Sequence, residues 1–181
     1  MKNLAFVYCL LAILFMASCG GKEDRPLPGN DQKSLSMFFS GITVPANYQN
    51  VTPPSQTKKL EDVLSSANKD KVPYIKSGDI QYNDSYIMLE GLKAGESLSK
   101  LTVKLIDGQS TISTFESGRI NVTQDGIPVK DSSNDCMSFL NWVINTLASK
   151  KSVTIQIILN GGDVDVSDLK VTVHTTAVFT W

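Results

Sequence analysis

The stretch Leu169-Lys170-Val171-Thr172-Val173-His174-Thr175-Thr176-Ala177-Val178-Phe179-Thr180-Trp181 carries the reading that decides the fold class. Leu169, Val171, Val173, Thr175, Ala177, Phe179 and Trp181 alternate with Lys170, Thr172, His174, Thr176, Val178 and Thr180. A period of two sets successive side chains on opposite faces of an extended chain, so one face is predicted to be core and the other mostly wet. Working back along the chain, the same alternation recurs at Val153, Ile155, Ile157 and Leu159, at Leu101, Val103 and Leu105, and at Ile120 and Val122. Shorter stretches lie at Leu35 to Val44 and Tyr86 to Leu89. Asp107-Gly108, Asp125-Gly126 and Asn160-Gly161 punctuate these runs with residues that suit tight turns needing φ > 0. Repeated short strands joined by such turns predict a mainly β chain. The expected fold is an antiparallel β-sandwich, immunoglobulin-like or jelly-roll-like, with one or two short helices.

Two segments depart from the period of two. Leu60, Val63, Leu64 and Ala67 fall on one helical stripe, as do Cys136, Phe139, Leu140, Val143, Ile144 and Leu147. The second stripe opens on Ser132-Ser133-Asn134-Asp135, which supplies N-cap oxygens. It closes on Lys150-Lys151, whose charge suits the negative end of a helix dipole.

The beginning of the chain reads differently. Lys2 precedes an unbroken apolar run from Leu4 to Phe15, the charge-then-apolar pattern of a secretory signal. That run is too short for a transmembrane helix, which needs roughly 20 apolar residues. The following Phe15-Met16-Ala17-Ser18-Cys19-Gly20 resembles the lipobox of bacterial lipoproteins, with Met16 where the family usually has Leu. The resemblance implies a signal peptide over residues 1–18 and a lipidated, membrane-anchored Cys19. Lys22-Glu23-Asp24 resembles the lysine-plus-acids tag that sends some lipoproteins to the outer face of the outer membrane. The implied localisation is therefore the outer membrane, with the protein facing the cell exterior. Gly20 to Lys33 is rich in Gly, Pro, Asn, Asp and charge, so residues 19–33 are predicted to be a flexible tether. Residues 34–181 are then one domain.

Composition narrows the function classes. The net charge is −1, and no basic cluster exceeds a pair, which excludes the electrostatic footprint of a nucleic-acid binder. Of the three cysteines, Cys9 leaves with the leader and Cys19 carries lipid, so Cys136 has no intramolecular partner. His174 is the single histidine, and any Ser-His-Asp or Cys-His arrangement must use it. Cys136 lies on the apolar helical stripe near Asp131 and Asp135, a setting opposed to a reactive thiolate.

Two clusters are candidate binding sites. Asp163, Asp165 and Asp168, with Ser167, offer alternate hard oxygens suited to calcium. They lack the loop Gly and distal Glu of an EF-hand, and in a strand they would form a plain acidic edge. Tyr74, Tyr82 and Tyr86 stand among Asp79, Asn83 and Asp84, a mixture that can stack on sugar rings and bond their hydroxyls. No catalytic residue is singled out. The expected function is a surface-anchored, non-enzymatic binding or scaffolding domain whose partner is an extracellular glycan or an envelope protein. The alternatives are a fimbrial or adhesin assembly subunit, a carbohydrate-binding accessory protein, a small hydrolase, and a carrier with a dry pocket of a few hundred Å³.

Overall fold

The computed structural model describes residues 26–181. The leader, Cys19, Lys22 to Asp24 and the rest of the tether up to residue 25 lie outside the described residues. The strands are β1 (Asn30–Val44), β2 (Gln56–Lys59), β3 (Ser77–Glu90), β4 (Ser97–Asp107), β5 (Ser110–Glu116), β6 (Ile120–Asn121), β7 (Val129–Asp131), β8 (Ser152–Gly161) and β9 (Val166–Thr180). The helices are a single turn, α1 (Leu60–Val63), a 3-10 segment (Ser66–Lys71) and α2 (Asn134–Lys150).

All pairings are antiparallel, and they are nested. β1 pairs with β9, β2 with β8, β3 with β7 and β4 with β5. A chain that pairs its first strand with its last and works inward to a tight hairpin is one long hairpin wrapped on itself, which is a jelly roll. One sheet has the order β1-β9-β3-β7 and the other β2-β8-β4-β5, with β6 against β4. The expected β-sandwich is present, and the strand connectivity decides for the jelly roll.

β9 earns its place by pairing on both sides, with β1 from Asn30↔Thr180 and with β3 from Ser77↔Thr180. Its inward Val171, Val173, Thr175, Ala177 and Phe179 are buried, as expected from the alternation. The outward face is drier than its residue types suggest: Thr172 and Thr176 are also buried. A strand flanked on both sides has its short outward side chains covered by longer neighbours. The other sheet contributes Val103 and Leu105 of β4 and Ile155 and Ile157 of β8 to the same core. Burying each such side chain contributes about 1.5–3 kcal/mol.

β7 covers β3 only over Ile87–Leu89. The rest of that flank is closed by α2, which buries Phe139, Leu140, Val143, Ile144 and Leu147. Gly78 permits this approach, because a Cβ there would lie 2.7 Å from Ile144. Ser133 is the N-cap, accepting the Cys136 N–H, and Lys151 ends the helix at φ 66. Its ammonium reaches back to the carbonyls of Ala148 and Ile75.

Three expectations are corrected. Residues 30–33 are strand rather than tether, held by the Asn30↔Thr180 to Lys33↔Ala177 register and by the Gly29–Trp181 backbone pair below it. The stripe from Leu60 to Ala67 does not form one helix. After one turn Leu64 turns extended, and the Ser65 N–H goes to Asp31 instead of continuing the helical ladder. Asn160-Gly161 is not a turn but the end of β8. Gly161 is needed there because a Cβ would meet the Pro45 carbonyl oxygen at 2.2 Å. Gly108 and Gly126 do take positive φ, at 59 and 70.

Candidate functional site

His174 stands in the middle of the outward face of the β1-β9-β3-β7 sheet, opposite Ser36 on β1 and Tyr86 on β3. Ser36 Oγ lies 2.7 Å from His174 Nδ1, and the Asp84 carboxylate lies 3.7 Å from Nε2. The Thr176 hydroxyl donates to Asp84 Oδ2 at 2.7 Å and is itself 2.7 Å from Ser34 Oγ. The Tyr86 ring stacks on His174 with centroids 4.9 Å apart, and the Lys130 ammonium sits 4.2 Å from the Tyr86 centroid. A row Ser36–His174–Tyr86–Lys130 thus crosses all four strands.

Ser36, His174 and the adjacent Asp84 are the residue types of a Ser-His-Asp triad without its geometry. At 3.7 Å the carboxylate does not hydrogen-bond the imidazole, and its other oxygen is engaged by Thr176. The trio lies on an open sheet face, with the imidazole ring against Tyr86. Its evident work is to tie β1, β9 and β3 together.

The sequence-predicted tyrosines are not gathered. Tyr86 takes His174 from one neighbouring strand and Lys130 from the other, which leaves it no free platform. Tyr82 is exposed with Asn83 and Asp84 in the irregularity between Gln81 and Ser85, and Tyr74 follows the 3-10 segment. None of the three borders the cavities described below.

The aspartates are likewise dispersed. Asp163 is bridged to Arg119, Asp165 Oδ1 accepts the Ala46 N–H at 2.7 Å, and Asp168 occupies a left-handed position at φ 57. Among the described residues no group of three or more His, Cys, Asp or Glu could hold a metal ion. Cys136 is fully buried and donates to the Asp131 carbonyl at 3.3 Å. Burial, reinforced by the Asp131 charge, pushes its thiol up to about 12, the opposite of an activated nucleophile.

The structure does assemble a groove the sequence reading missed. Asp135, Ser138, Phe139 and Trp142 fall on one stripe of α2, at the i, i+3, i+4 and i+7 positions that share a helix face. They face Ser113, Thr114, Phe115 and Glu116 of β5 across an open groove of about 490 Å³. Phe115 and Phe139 close its base, with ring centroids 6.5 Å apart. Trp142 is 56% exposed, although tryptophan is highly buried on average. Lys100 donates to Glu116 at 3.0 Å and holds its carboxyl below the usual carboxylate range. The groove therefore combines an indole face, three hydroxyls and two carboxylates. It also lies along β5, an edge strand of its sheet. The available sequence signal was a large aromatic on α2 outside the apolar stripe.

No family model matches the chain, and no curated protein matches it. Among solved structures it is similar to one described as Desmodium yellow mottle tymovirus, with TM-score 0.42 and 5% identity over 86% of this chain and 89% of that one. It is also similar to infectious bursal disease virus Gx strain, with TM-score 0.37 and 9% identity over 86% of this chain and 33% of that one. Likenesses at this level carry no argument about function, and the fold assignment rests on the strand pairing above.

Proposed function

We propose that this chain is a lipid-anchored, outward-facing binding protein of the outer membrane whose jelly-roll domain holds carbohydrate in the groove between β5 and α2. The anchor rests on Cys19 and the small residues before it. The binding reading rests on one observation: a half-exposed Trp142 beside Ser113, Thr114, Ser138, Glu116 and Asp135. The C–H face of a pyranose matches an indole face, and its hydroxyls donate well to ionised carboxylates. A site of this kind positions a ligand without transforming it.

The test is affinity electrophoresis of the full chain through gels containing xylan, mannan, mixed-linkage glucan or mucin glycans. At least one should retard the parent protein. Trp142→Ala should abolish that retardation, while Tyr82→Ala, equally exposed but outside the groove, should leave it unchanged. Equal mobility of parent and Trp142→Ala in every gel overturns the reading.

A further inference from the structure

A second cavity, of about 240 Å³, opens on the seam between the two sheets where only the short β6 and β7 flank the core. Its interior is apolar, formed by Leu89 of β3, Leu101 of β4 and Phe115 of β5, with Ile120 and Val129 nearer the mouth. Arg119 stands at that mouth.

Arg119 is already oriented. Its Nε donates to Asn121 Oδ1 at 3.3 Å, and its Nη2 donates to Ser97 Oγ at 3.3 Å and to Asp163. Nη1 makes no hydrogen bond among the described residues, so one edge of a fixed guanidinium is left for a ligand. Lys130 also lines the cavity, but its ammonium lies over the Tyr86 ring on the outward face of the sheet. The one acid at the mouth, Asp131, is engaged by the Ser133 N–H and hydroxyl.

We infer that this seam cavity binds a small amphipathic carboxylate, apolar body inward and head group on the open edge of Arg119. Size supports this class. A cavity of about 150 Å³ suffices for benzene, so the larger space here takes a ring with a short chain. Charge supports it too. Arg119 shares its charge with Asp163, but its open Nη1 edge makes a charge-assisted pair with a carboxylate that an alcohol or an amine of the same body cannot match. The site shares only Phe115 with the Trp142 groove and does not depend on the carbohydrate reading.

The experiment is isothermal titration calorimetry of the full chain with 4-phenylbutyrate, and with 4-phenylbutan-1-ol as the uncharged counterpart. The acid should bind saturably at one site, and the alcohol about tenfold or more weaker. Arg119→Gln should weaken the acid by a similar factor and leave the alcohol unchanged. Val129→Trp, which fills the mouth from a surface strand, should abolish both, with far-ultraviolet circular dichroism confirming the fold. Should that variant not fold, the Arg119→Gln comparison decides alone. Absence of saturable binding by the acid, equal affinity for acid and alcohol, or undiminished binding of the acid in Arg119→Gln overturns the proposal.

Discussion

Asp31→Asn tests whether the strand at residues 30–33 is a working part of the domain. The Asp31 side chain is only 11% exposed, and its Oδ2 accepts both the Ser65 N–H at 3.0 Å and the Ser65 hydroxyl at 2.5 Å. These contacts pin the start of β1 to the break after α1. Hydrogen bonds to a charged group contribute about 1.5–3 kcal/mol, and an amide oxygen retains part of that, so the expected loss is roughly 2 kcal/mol. For a domain of this size it corresponds to a fall in Tm of roughly 4–8 °C, measured by calorimetry at pH 7. The loss should also depend on pH. Burial works to raise the Asp31 carboxyl, but the hydrogen bonds from Ser65 and Asn68 and the Lys33 charge outweigh it, and its pKa is lowered. A carboxyl with a lowered folded pKa adds stability that is complete above its unfolded value of about 3.9 and is lost as pH falls through the folded one. The gap between parent and variant should therefore be full at pH 6–7 and narrow below about pH 4. No gap at pH 7, or one that persists undiminished at pH 2.5, refutes the reasoning.

Cys136, with its thiol at about 12, should resist a disulfide reagent at pH 8 in the native protein and react promptly once denaturant unfolds the chain. Gly161→Ala, whose Cβ would lie 2.2 Å from the Pro45 oxygen, should lower stability by roughly 3 kcal/mol or more in urea titration. Gly118→Ala, with nothing within 4 Å of the added methyl, should leave stability unchanged. Thr172 Oγ1 is buried and has no hydrogen-bond partner among the described residues, so Thr172→Val should stabilise by about 1 kcal/mol and raise Tm.

The strands were legible where burial and backbone period agree. The stretch from Leu169 to Trp181 reads as a strand because one face of β9 packs into the core, and α2 reads as a helix because its apolar stripe does the same. The reading failed where a contact remote in sequence overrode a local preference. Ser65 leaves the helical ladder for Asp31, and Asn160-Gly161 gives up its turn because Pro45 approaches. Residues 30–33 look like linker, yet they pair with the far end of the chain. The tyrosine and aspartate clusters were proximity in sequence only, since the sheet turns their members to different neighbours.

The sequence by itself determined the expectation of export and lipidation at Cys19, the mainly β class, the position of α2 and the isolation of His174 as the one imidazole. These follow from composition and short-range periodicity, which a linear reading contains. Tertiary structure alone decided that β1 pairs with β9, that Trp142 faces the hydroxyls of β5, and that Arg119 comes to the mouth of the seam beside Leu89 and Leu101. Such meetings depend on which strand lies beside which, and that order is set by packing two sheets and a helix around a shared core rather than by any local pattern.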